Sequence, residues 1–440
     1  MSDDPRRWRS LAVPTGRASR LGQLGRLAGG MAGGMMAEGA RRLANGERPR
    51  LRDMLLTPGN FQRMTDRLSH MRGAAMKLGQ MISLDAGDLL PPELTQILES
   101  LRDHAAIMPS AQLERVLAAE WGGDWRARIA RFDMVPIAAA SIGQVHRATA
   151  LDGRQLAIKV QYPGVRESID ADIDNVASLM RMSGLLPAGL DVSRLLAEAK
   201  RQLHEEADYI REGKQMRLFA ELLRDTPDVV VPELDSGLTS ARVLAMTYME
   251  GQPIETVSDA PQAVRDQVAT SVMRLVLREL FDFGVMQTDP NFANFRYQSA
   301  TGRLVLLDFG ATRPLEAETV AAYRAILRAG LAGERDHVRK AALKAGMLGS
   351  AAVIYQRPRI DAMIDAVLAW IDRPGPIDFA DRSLFATLRD GGLEVAADQR
   401  VWHVPPADIL FIQRKLGGTA LLAAQLKARV DVRKLASPYA

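Results

Sequence analysis

The sequence predicts an α+β protein in which a small β-rich lobe precedes a larger, mainly helical lobe. Two short apolar runs, 141–149 and 155–160, flank an Asp-Gly pair at 152–153, which is the pattern of a β-hairpin. Helical segments follow, including one at about 261–283, and everything after Leu315 has helical character. A strand-rich segment followed by helical segments is the predicted order of the two lobes.

Composition excludes several classes of protein. Of the 440 residues, 47% are hydrophobic and 25% are charged, which is typical of a globular protein and excludes disordered or collagen-like chains. There is no cysteine, so disulfides, cysteine-ligated metals and thiol catalysis are excluded. Only six histidines are present, which leaves little room for a histidine-based metal site.

The chain is predicted to have four parts. Residues 1–50 form a basic arm rich in glycine and methionine, and residues 51–130 form a helical extension. Residues 131–250 form the β-rich lobe, with a helical insert. Residues 251–440 form the helical lobe.

The arm concentrates the positive charge of the chain. It holds ten arginines against four acidic residues, whereas the whole chain has a net charge of only +4. Such a segment suits an anionic membrane surface or nucleic acid; we favour the membrane and expect no nucleic-acid partner. The apolar run at 27–37 is too short to span a bilayer. We therefore expect a cytoplasmic protein held peripherally at a bacterial inner membrane, with a solvated tail as the plainer alternative.

Glycines four residues apart within that run, at Gly29 and Gly33 and at Gly30 and Gly34, have the spacing that close helix pairing uses. This leaves a homodimer open, although a flexible linker has the same composition.

A lysine lies within an apolar strand pattern at Lys159, between Ile158 and Val160. In kinases a strand lysine contacts the α- and β-phosphates of ATP and pairs with a glutamate on a helix. An edge-strand lysine that faces water is the alternative.

Two later motifs have the order found in kinases. Asp289 and Asn294 have the Asp-x4-Asn spacing of the catalytic loop, with Gln287 where histidine is usual. Asp308 follows an apolar strand and begins Asp-Phe-Gly, where a carboxylate is well placed to hold Mg²⁺. The three motifs together predict nucleotide binding in a protein-kinase-like, two-lobe fold.

The kinase pattern also fails in informative places. Ala138, Ala139 and Ala140, followed by Ser141, replace the glycines of the loop over the phosphates, so its backbone has less conformational freedom. No Ala-Pro-Glu follows Asp308, so the segment that would bind a peptide substrate is missing.

A third departure is a helical motif ahead of the β-rich lobe. Lys77 and Gln80 lie three residues apart, hence on one helix face, among apolar neighbours. This indicates a specific polar partner, and a solvated helix face is the alternative.

These motifs together resemble the UbiB family of atypical kinases, over about residues 50–440. Gln287 in place of histidine and the ending Arg414–Gly418 are most similar to the mitochondrial coenzyme Q branch of that family. The motifs that carry the resemblance are Lys77–Gln80, Ala138–Ser141, Ala157–Val165, Glu206–Asp208, Gln287–Asn291 and Arg414–Gly418.

The resemblance implies a kinase-like fold whose N-terminal helices, bearing Lys77 and Gln80, pack over the active site. It implies ATP hydrolysis with Mg²⁺ rather than phosphorylation of proteins, in support of ubiquinone synthesis at a membrane. The implied partners are ubiquinone-biosynthesis enzymes and isoprenoid or quinone lipids.

The resemblance also implies roles for single residues. Lys159 would contact phosphate and Glu206 would be its helix partner, with the adjacent Glu205 as a rival. Asp289 would orient water or a small hydroxyl. The remaining implied positions are the metal ligands Asn294 and Asp308, the nucleotide loop Ala138–Ser141, and the adenine-binding hinge from Met246 to Met249.

Two other functions stay open. One is a nucleotide-switched scaffold or lipid-binding pseudokinase with little turnover, and the other is a kinase for a small lipid molecule. The intact set of Lys159, Asp289, Asn294 and Asp308 favours an ATPase, because a scaffold needs no complete metal set.

Overall fold

The structure is a computed structural model that describes residues 107–182, 193–403 and 405–440. The predicted arm and the helix expected to carry Lys77 and Gln80 lie outside these residues.

The chain divides into two compact units. Within the described residues, the first unit runs up to Lys214 and includes Glu233–Tyr248, and the second contains Gln215–Pro232 and Met249–Ala440.

The first unit is an antiparallel sheet accompanied by helices. Its strands run in the order β1-β3-β4-β6, with β2 paired to β3. They are β1 (Arg131–Phe132), β2 (Ala138–Ala139), β3 (Gly143–Thr149), β4 (Gln155–Gln161) and β6 (Val243–Thr247). The helices are α1 (Ser110–Trp121), α2 (Val165–Met182), α3 (Ser193–Glu206) and the first part of α4 (Tyr209–Leu222).

The predicted hairpin is present as β3 and β4. Both strands alternate between buried and less buried residues, as expected when one face of a sheet covers a core. Gly153 has φ of 87°, a left-handed conformation that glycine adopts without strain. The Asp152 carboxylate accepts a hydrogen bond from the backbone N–H of Arg154 at 3.0 Å, which stabilises the turn.

The core of the first unit forms between β4 and α1. Leu113, Val116 and Leu117 share one face of α1 because they are three and four residues apart. They belong to one buried cluster with Leu156 and Ile158 of β4. This packing fixes the strand that carries Lys159.

The second unit combines short strands with many helices. Its strands are β5 (Val229–Val230), β7 (Gln252–Pro253), β8 (Val285–Gln287), β9 (Phe295–Gln298), β10 (Arg303–Leu306), β11 (Thr312–Pro314), β12 (Ile377–Asp378) and β13 (Arg429–Val430). Its helices are α5 (Gln262–Arg278), α6 (Ala317–Leu331), α7 (Arg335–Lys344), α8 (Ser350–Tyr355), α9 (Arg357–Ile371), α10 (Ser383–Ala396), α11 (Ala407–Gln425) and α12 (Val432–Ala436).

The helix predicted at 261–283 is present but not uniform. After α5 the backbone continues through a π-helical turn, Glu279–Phe283, which ends at Gly284 with φ of 62°. The turn buries Glu279 and Leu280. Leu280 joins a core cluster with residues of β8 and α11, so α11 packs against the segment that leads into the loop of Asp289.

Two sequence expectations about strands need correction. The region after Leu315 is not wholly helical, because Ile377–Asp378 pairs antiparallel with Arg429–Val430. Strands β8, β9 and β11 were not anticipated, since three or four residues are too few to show a period. None of the helices described is long and apolar enough to cross a membrane.

Candidate functional site

In the first unit, Lys159 forms a close ion pair. Its Nζ donates to both carboxylate oxygens of Glu212, at 2.9 and 3.0 Å. The Glu212 side chain is 1% exposed, whereas that of Lys159 is 11% exposed. The ammonium also lies 5.1 Å from the centroid of the Tyr209 ring. A short, charge-assisted pair of this kind holds the lysine in one place while a part of it still reaches solvent.

The structure corrects the predicted partner of Lys159 from Glu206 to Glu212. Glu206 is the last residue of α3, and a break separates it from α4, where Glu212 lies in the first turn. Asp208 begins the new helix, because its Oδ1 accepts a hydrogen bond from the backbone N–H of Arg211 at 2.9 Å. The break changes which glutamate faces β4.

The alanine loop forms a tight hairpin between β2 and β3. Ala138 pairs with Val145 and Ala139 pairs with Gln144. The N–H of Ala140 donates to the Gly143 carbonyl at 2.8 Å, so only two residues turn the chain. The Ser141 hydroxyl donates to Glu206 at 3.4 Å, which ties the tip of this loop to the end of α3.

Gly143 is required at the base of this loop. A Cβ there would lie 2.4 Å from the backbone oxygen of Val160, closer than any real contact. The alanine loop is therefore seated directly on β4, and its position is set by backbone packing.

In the second unit, Asp289 lies in the loop that follows β8. Its Oδ1 accepts a hydrogen bond from the N–H of Asn291 at 3.3 Å, and the guanidinium of Arg414 lies 3.8 Å away. The loop ends in a 3-10 turn, Phe292–Asn294, which the Asn291 side chain caps. The Asp289 side chain keeps 17% exposure, so the carboxylate remains accessible.

Asn294 and Asp308 lie at the same end of the β9–β10 hairpin. Phe295 is opposite Leu306 in the ladder, and beyond that pair the N–H of Leu307 donates to the Asn294 carbonyl at 2.9 Å. Asp308 follows immediately. The register therefore brings together two of the residues predicted to hold metal.

Asn294 also has unused hydrogen-bonding capacity. It is 7% exposed, and its Nδ2 has no hydrogen-bond partner among the described residues. Rotating the amide exchanges nitrogen and oxygen at that position, so the same site can present an oxygen ligand. An amide oxygen beside a carboxylate suits Mg²⁺. No group of three or more His, Cys, Asp or Glu side chains suited to a metal occurs in the described part of the chain.

The Asp-Phe-Gly segment is short and tightly held. The Asp308 carboxylate accepts a hydrogen bond from the N–H of Gly310 at 2.9 Å. Phe309 is fully buried, with its ring 5.3 Å from that of Phe219. Only Ala311–Glu316 separates Gly310 from α6, and β11 occupies half of that stretch, paired with β8. The connection between Gly310 and α6 is therefore as short as the sequence predicts.

The residue in the usual histidine position, Gln287, is fully buried and held by a lysine. The Nζ of Lys415 donates to its Oε1 at 2.6 Å. The same Nζ lies 3.9 Å from a carboxylate oxygen of Glu279, and both of these side chains are sealed from solvent. Burial raises the pKa of Glu279 to about 7, against the opposing effect of Lys415. Burial likewise lowers the pKa of Lys415.

Sequence reasoning missed the role of α11. Arg414–Gly418 served only as part of a family resemblance, yet this stretch contacts the catalytic loop at several points. A Cβ on Gly418 would lie 2.4 Å from the Cβ of Pro290. The available signal was an adjacent Arg-Lys pair followed by two glycines in an apolar helix.

The remaining predicted positions are distributed as follows. Met246 is buried in β6, where it pairs with Ala157 of β4. Met249 is the first residue of the second unit after Tyr248, which ends the first. Lys77 and Gln80 lie outside the described residues.

The strand lysine with its helix glutamate, the Asp-x4-Asn loop and the strand-end Asp-Phe-Gly define a kinase-like protein. A model of the ABC1 atypical kinase-like domain matches residues 100–342. The chain therefore belongs to the ABC1 atypical kinase-like family, which confirms the resemblance to UbiB kinases.

Individual relatives cover nearly the whole chain. The atypical kinase COQ8, mitochondrial, of Saccharomyces cerevisiae is 36% identical over 434 residues, 97% of this chain and 85% of that protein. The atypical kinase COQ8B, mitochondrial, of Rattus norvegicus is 37% identical over 440 residues, 98% and 81% of the two chains. The fold is similar to that of Rv3197 from Mycobacterium tuberculosis, solved with erythromycin, with a TM-score of 0.59 and 26% identity over 91% of this chain and 96% of that one.

Proposed function

We propose that this chain is a Mg²⁺-dependent, ATP-hydrolysing atypical kinase that supports coenzyme Q biosynthesis. The observation that carries the proposal is the hairpin that brings Asn294 next to Asp308, with the buried amide of Asn294 lacking a partner among the described residues. A carboxylate and an amide side by side, in a kinase-like fold, are the protein's share of a nucleotide–magnesium site.

Each residue would have a distinct role. Asn294 and Asp308 would hold Mg²⁺, which neutralises the charge of the phosphates when it is bound. Lys159, held by Glu212, would contact phosphate oxygens, and the Ala138–Ser141 loop would cover them. Asp289 would orient the attacking water or a small hydroxyl. Lys77 and Gln80 would complete the set from the N-terminal helices, covering the site.

The short stretch between Gly310 and α6 supports hydrolysis, or transfer to a small molecule, over phosphorylation of proteins. A peptide needs a platform beside the catalytic loop, and six residues, three of them in β11, offer none. We therefore expect no transfer of label from ATP to generic protein substrates. A kinase for a small lipid fits the same geometry.

The link to coenzyme Q rests on the family and on relatives named COQ8. On that basis we propose that the substrates or partners are isoprenoid or quinone lipids and the enzymes that modify them. Phosphate release should therefore rise when phenolic quinone precursors and anionic liposomes are added.

The central experiment measures ATP binding and phosphate release with and without Mg²⁺. Asp308→Asn should abolish Mg²⁺-dependent binding while cooperative unfolding is retained, because the amide removes the negative charge that holds the ion. Asp390→Asn, the same change at an exposed helical position, is the control and should behave as wild type. Unchanged affinity for ATP with Mg²⁺ in Asp308→Asn would refute the assignment. Binding without turnover would favour the scaffold alternative.

A membrane contact through the basic arm is a further part of the proposal. Basic residues near an anionic surface contribute about 1 kcal/mol each, screened by salt. The full chain should therefore sediment with anionic liposomes at low salt and be partly released at high salt. A chain that starts at Leu51 should bind less while it keeps its nucleotide site. Equal binding by both chains would show that the membrane contact lies outside the arm, and the arm would then be interpreted as a solvated tail.

A further inference from the structure

A single buried ammonium contacts both ends of the catalytic loop. Lys415 of α11 donates to Gln287, the residue that ends β8 just before the loop. Its Nζ also lies 5.4 Å from the centroid of the Phe295 ring, and Phe295 begins β9 just after the loop. The seven residues between them include Asp289 and Asn294.

Lys415 itself cannot touch nucleotide. Its side chain is 1% exposed, and its charge is met by Glu279, whose own side chain is 0% exposed. Removing an ammonium from water is costly unless hydrogen bonds and an opposite charge compensate it. Here the compensating groups are Gln287 and Glu279, which lie at the start of the loop and in the π-helical turn before it. The contact is therefore suited to positioning.

The middle of the loop meets α11 one turn further along. Gly418 follows Lys415 by three residues, so the two share a helix face. A Cβ at Gly418 would lie 2.4 Å from the Pro290 Cβ, whereas one at Gly417 has nothing within 4 Å. Of the two adjacent glycines, it is therefore Gly418 that permits the close approach of helix and loop.

A third contact reaches the carboxylate itself. The Nη2 of Arg414 lies 3.8 Å from Oδ1 of Asp289, and the Arg414 side chain is only 8% exposed. A guanidinium at this distance favours one orientation of the carboxylate by charge.

We propose that α11 sets the position and orientation of Asp289. Lys415 fixes the ends of the loop, Gly418 seats Pro290, and Arg414 orients the carboxylate. All three are positioning residues. The inference rests on the proposed ATP hydrolysis for its activity readout, and a second readout below is independent of activity.

The adjacent glycines give a matched test. Alanine at either position should favour the helix equally, so any difference between the variants reports the contact with Pro290. Gly418→Ala should lower kcat for ATP hydrolysis about tenfold or more while KM stays within about twofold, because a displaced catalytic group acts on the chemical step. Gly417→Ala should keep wild-type kcat. Wild-type kcat in Gly418→Ala, or an equal loss in both variants, would overturn the proposal.

Hydrogen exchange gives the readout that needs no activity. The double variant Lys415→Met with Glu279→Gln removes both buried charges together and so avoids leaving one uncompensated. The backbone amides of residues 287–289 and 291–294 should exchange faster in this variant and in Gly418→Ala, whereas those of α6 should not change; Pro290 has no amide hydrogen. Unchanged exchange in the loop of both variants would overturn the inference.

The two readouts separate the hypotheses. A wild-type chain without ATP hydrolysis refutes the proposed function, and loop exchange then decides the present inference. Should the double variant fail to fold, Gly418→Ala, which leaves both charges in place, decides it.

Discussion

Each unit of the molecule contains a buried Lys–Glu pair, and the two pairs differ in geometry and in access to solvent. Lys159 and Glu212 are in direct contact, at 2.9 and 3.0 Å, and the lysine keeps 11% exposure. Lys415 and Glu279 are 3.9 Å apart, and neither side chain reaches solvent. The Lys159 side chain therefore keeps partial contact with solvent. The Lys415 ammonium instead contacts buried groups of the protein.

The difference in exposure between the two lysines indicates two different uses of a buried charge, contact with a ligand and positioning of neighbouring segments. A lysine that keeps partial exposure can meet phosphate while its glutamate holds it in place. A sealed lysine has no such access, and burial moves the pKa of both partners toward the neutral forms. A sealed pair is instead suited to specifying one arrangement of the segments that meet around it. The two pairs therefore predict different responses to substitution. Substitution of Lys159 should lower ligand affinity in addition to stability, because Glu212 is also buried, whereas substitution of Lys415 should lower stability and disturb the loop without a direct loss of ligand contact.

The largest effect is expected from Lys415→Met alone. It leaves the Glu279 carboxyl buried without its cation, and breaking a buried pair in this way costs about 3–5 kcal/mol of unfolding free energy. Chemical denaturation of the variant and of the wild type measures this loss.

The unfolding free energy of Lys415→Met should also depend on pH, through the carboxyl group of Glu279. The folded pKa of Glu279, about 7, lies above its ordinary value of 4.5. Folding therefore favours the protonated carboxyl of Glu279. Its contribution to stability is fully present below the ordinary pKa of 4.5 and is lost as pH rises through the folded pKa. Adding Glu279→Gln to Lys415→Met should remove this decline. The same decline in the double variant would show that another group is responsible.

An intermediate effect is expected from Lys159→Met. A charge-assisted hydrogen bond contributes about 1.5–3 kcal/mol, so affinity for ATP with Mg²⁺ should fall about tenfold or more. Titration calorimetry measures it. Lys340→Met, the same change at an exposed position of α7, is the control and should bind as wild type. If Lys159→Met loses stability but keeps its affinity, the contrast between the two pairs disappears.

The smallest effect is expected from Glu212→Gln. The amide keeps the size of the side chain and one acceptor for Lys159 but removes the charge, so ATP affinity should fall about three- to tenfold. Glu221→Gln on the same helix, where the glutamate is exposed, provides the matched control. Binding assays on both variants test the correction from Glu206 directly, since unchanged binding in Glu212→Gln would argue against the observed partner.

Local patterns made much of the fold predictable. The Asp-Gly turn between two alternating runs indicated β3 and β4, and the order of Lys159, Asp289, Asn294 and Asp308 indicated a kinase-like protein. These signals depend on residues that are neighbours in the chain. Sequence also anticipated the short connection between Gly310 and α6.

Predictions failed or were absent where geometry depends on a break or on distant segments. Glu206 and Glu212 are both plausible partners for a strand lysine until the end of α3 at Glu206 is known, because the break resets which face points inward. Gln287 and Lys415 are 128 residues apart, and nothing in either local pattern reports their contact. Two-residue strands such as β12 have no period to detect.

The support that α11 gives to the catalytic loop has a consequence for how this protein can be divided. The region matched to the family ends at residue 342, well before Lys415. An excised piece with that boundary would keep Asn294 and Asp308 together, because β9 and β10 are joined by a short turn. It would lack α11, whose Lys415 contacts Gln287 from 128 positions further along the chain. On the proposed roles, metal binding by Asn294 and Asp308 would depend on a local hairpin, whereas the alignment of Asp289 would depend on a helix more than a hundred residues later in the chain.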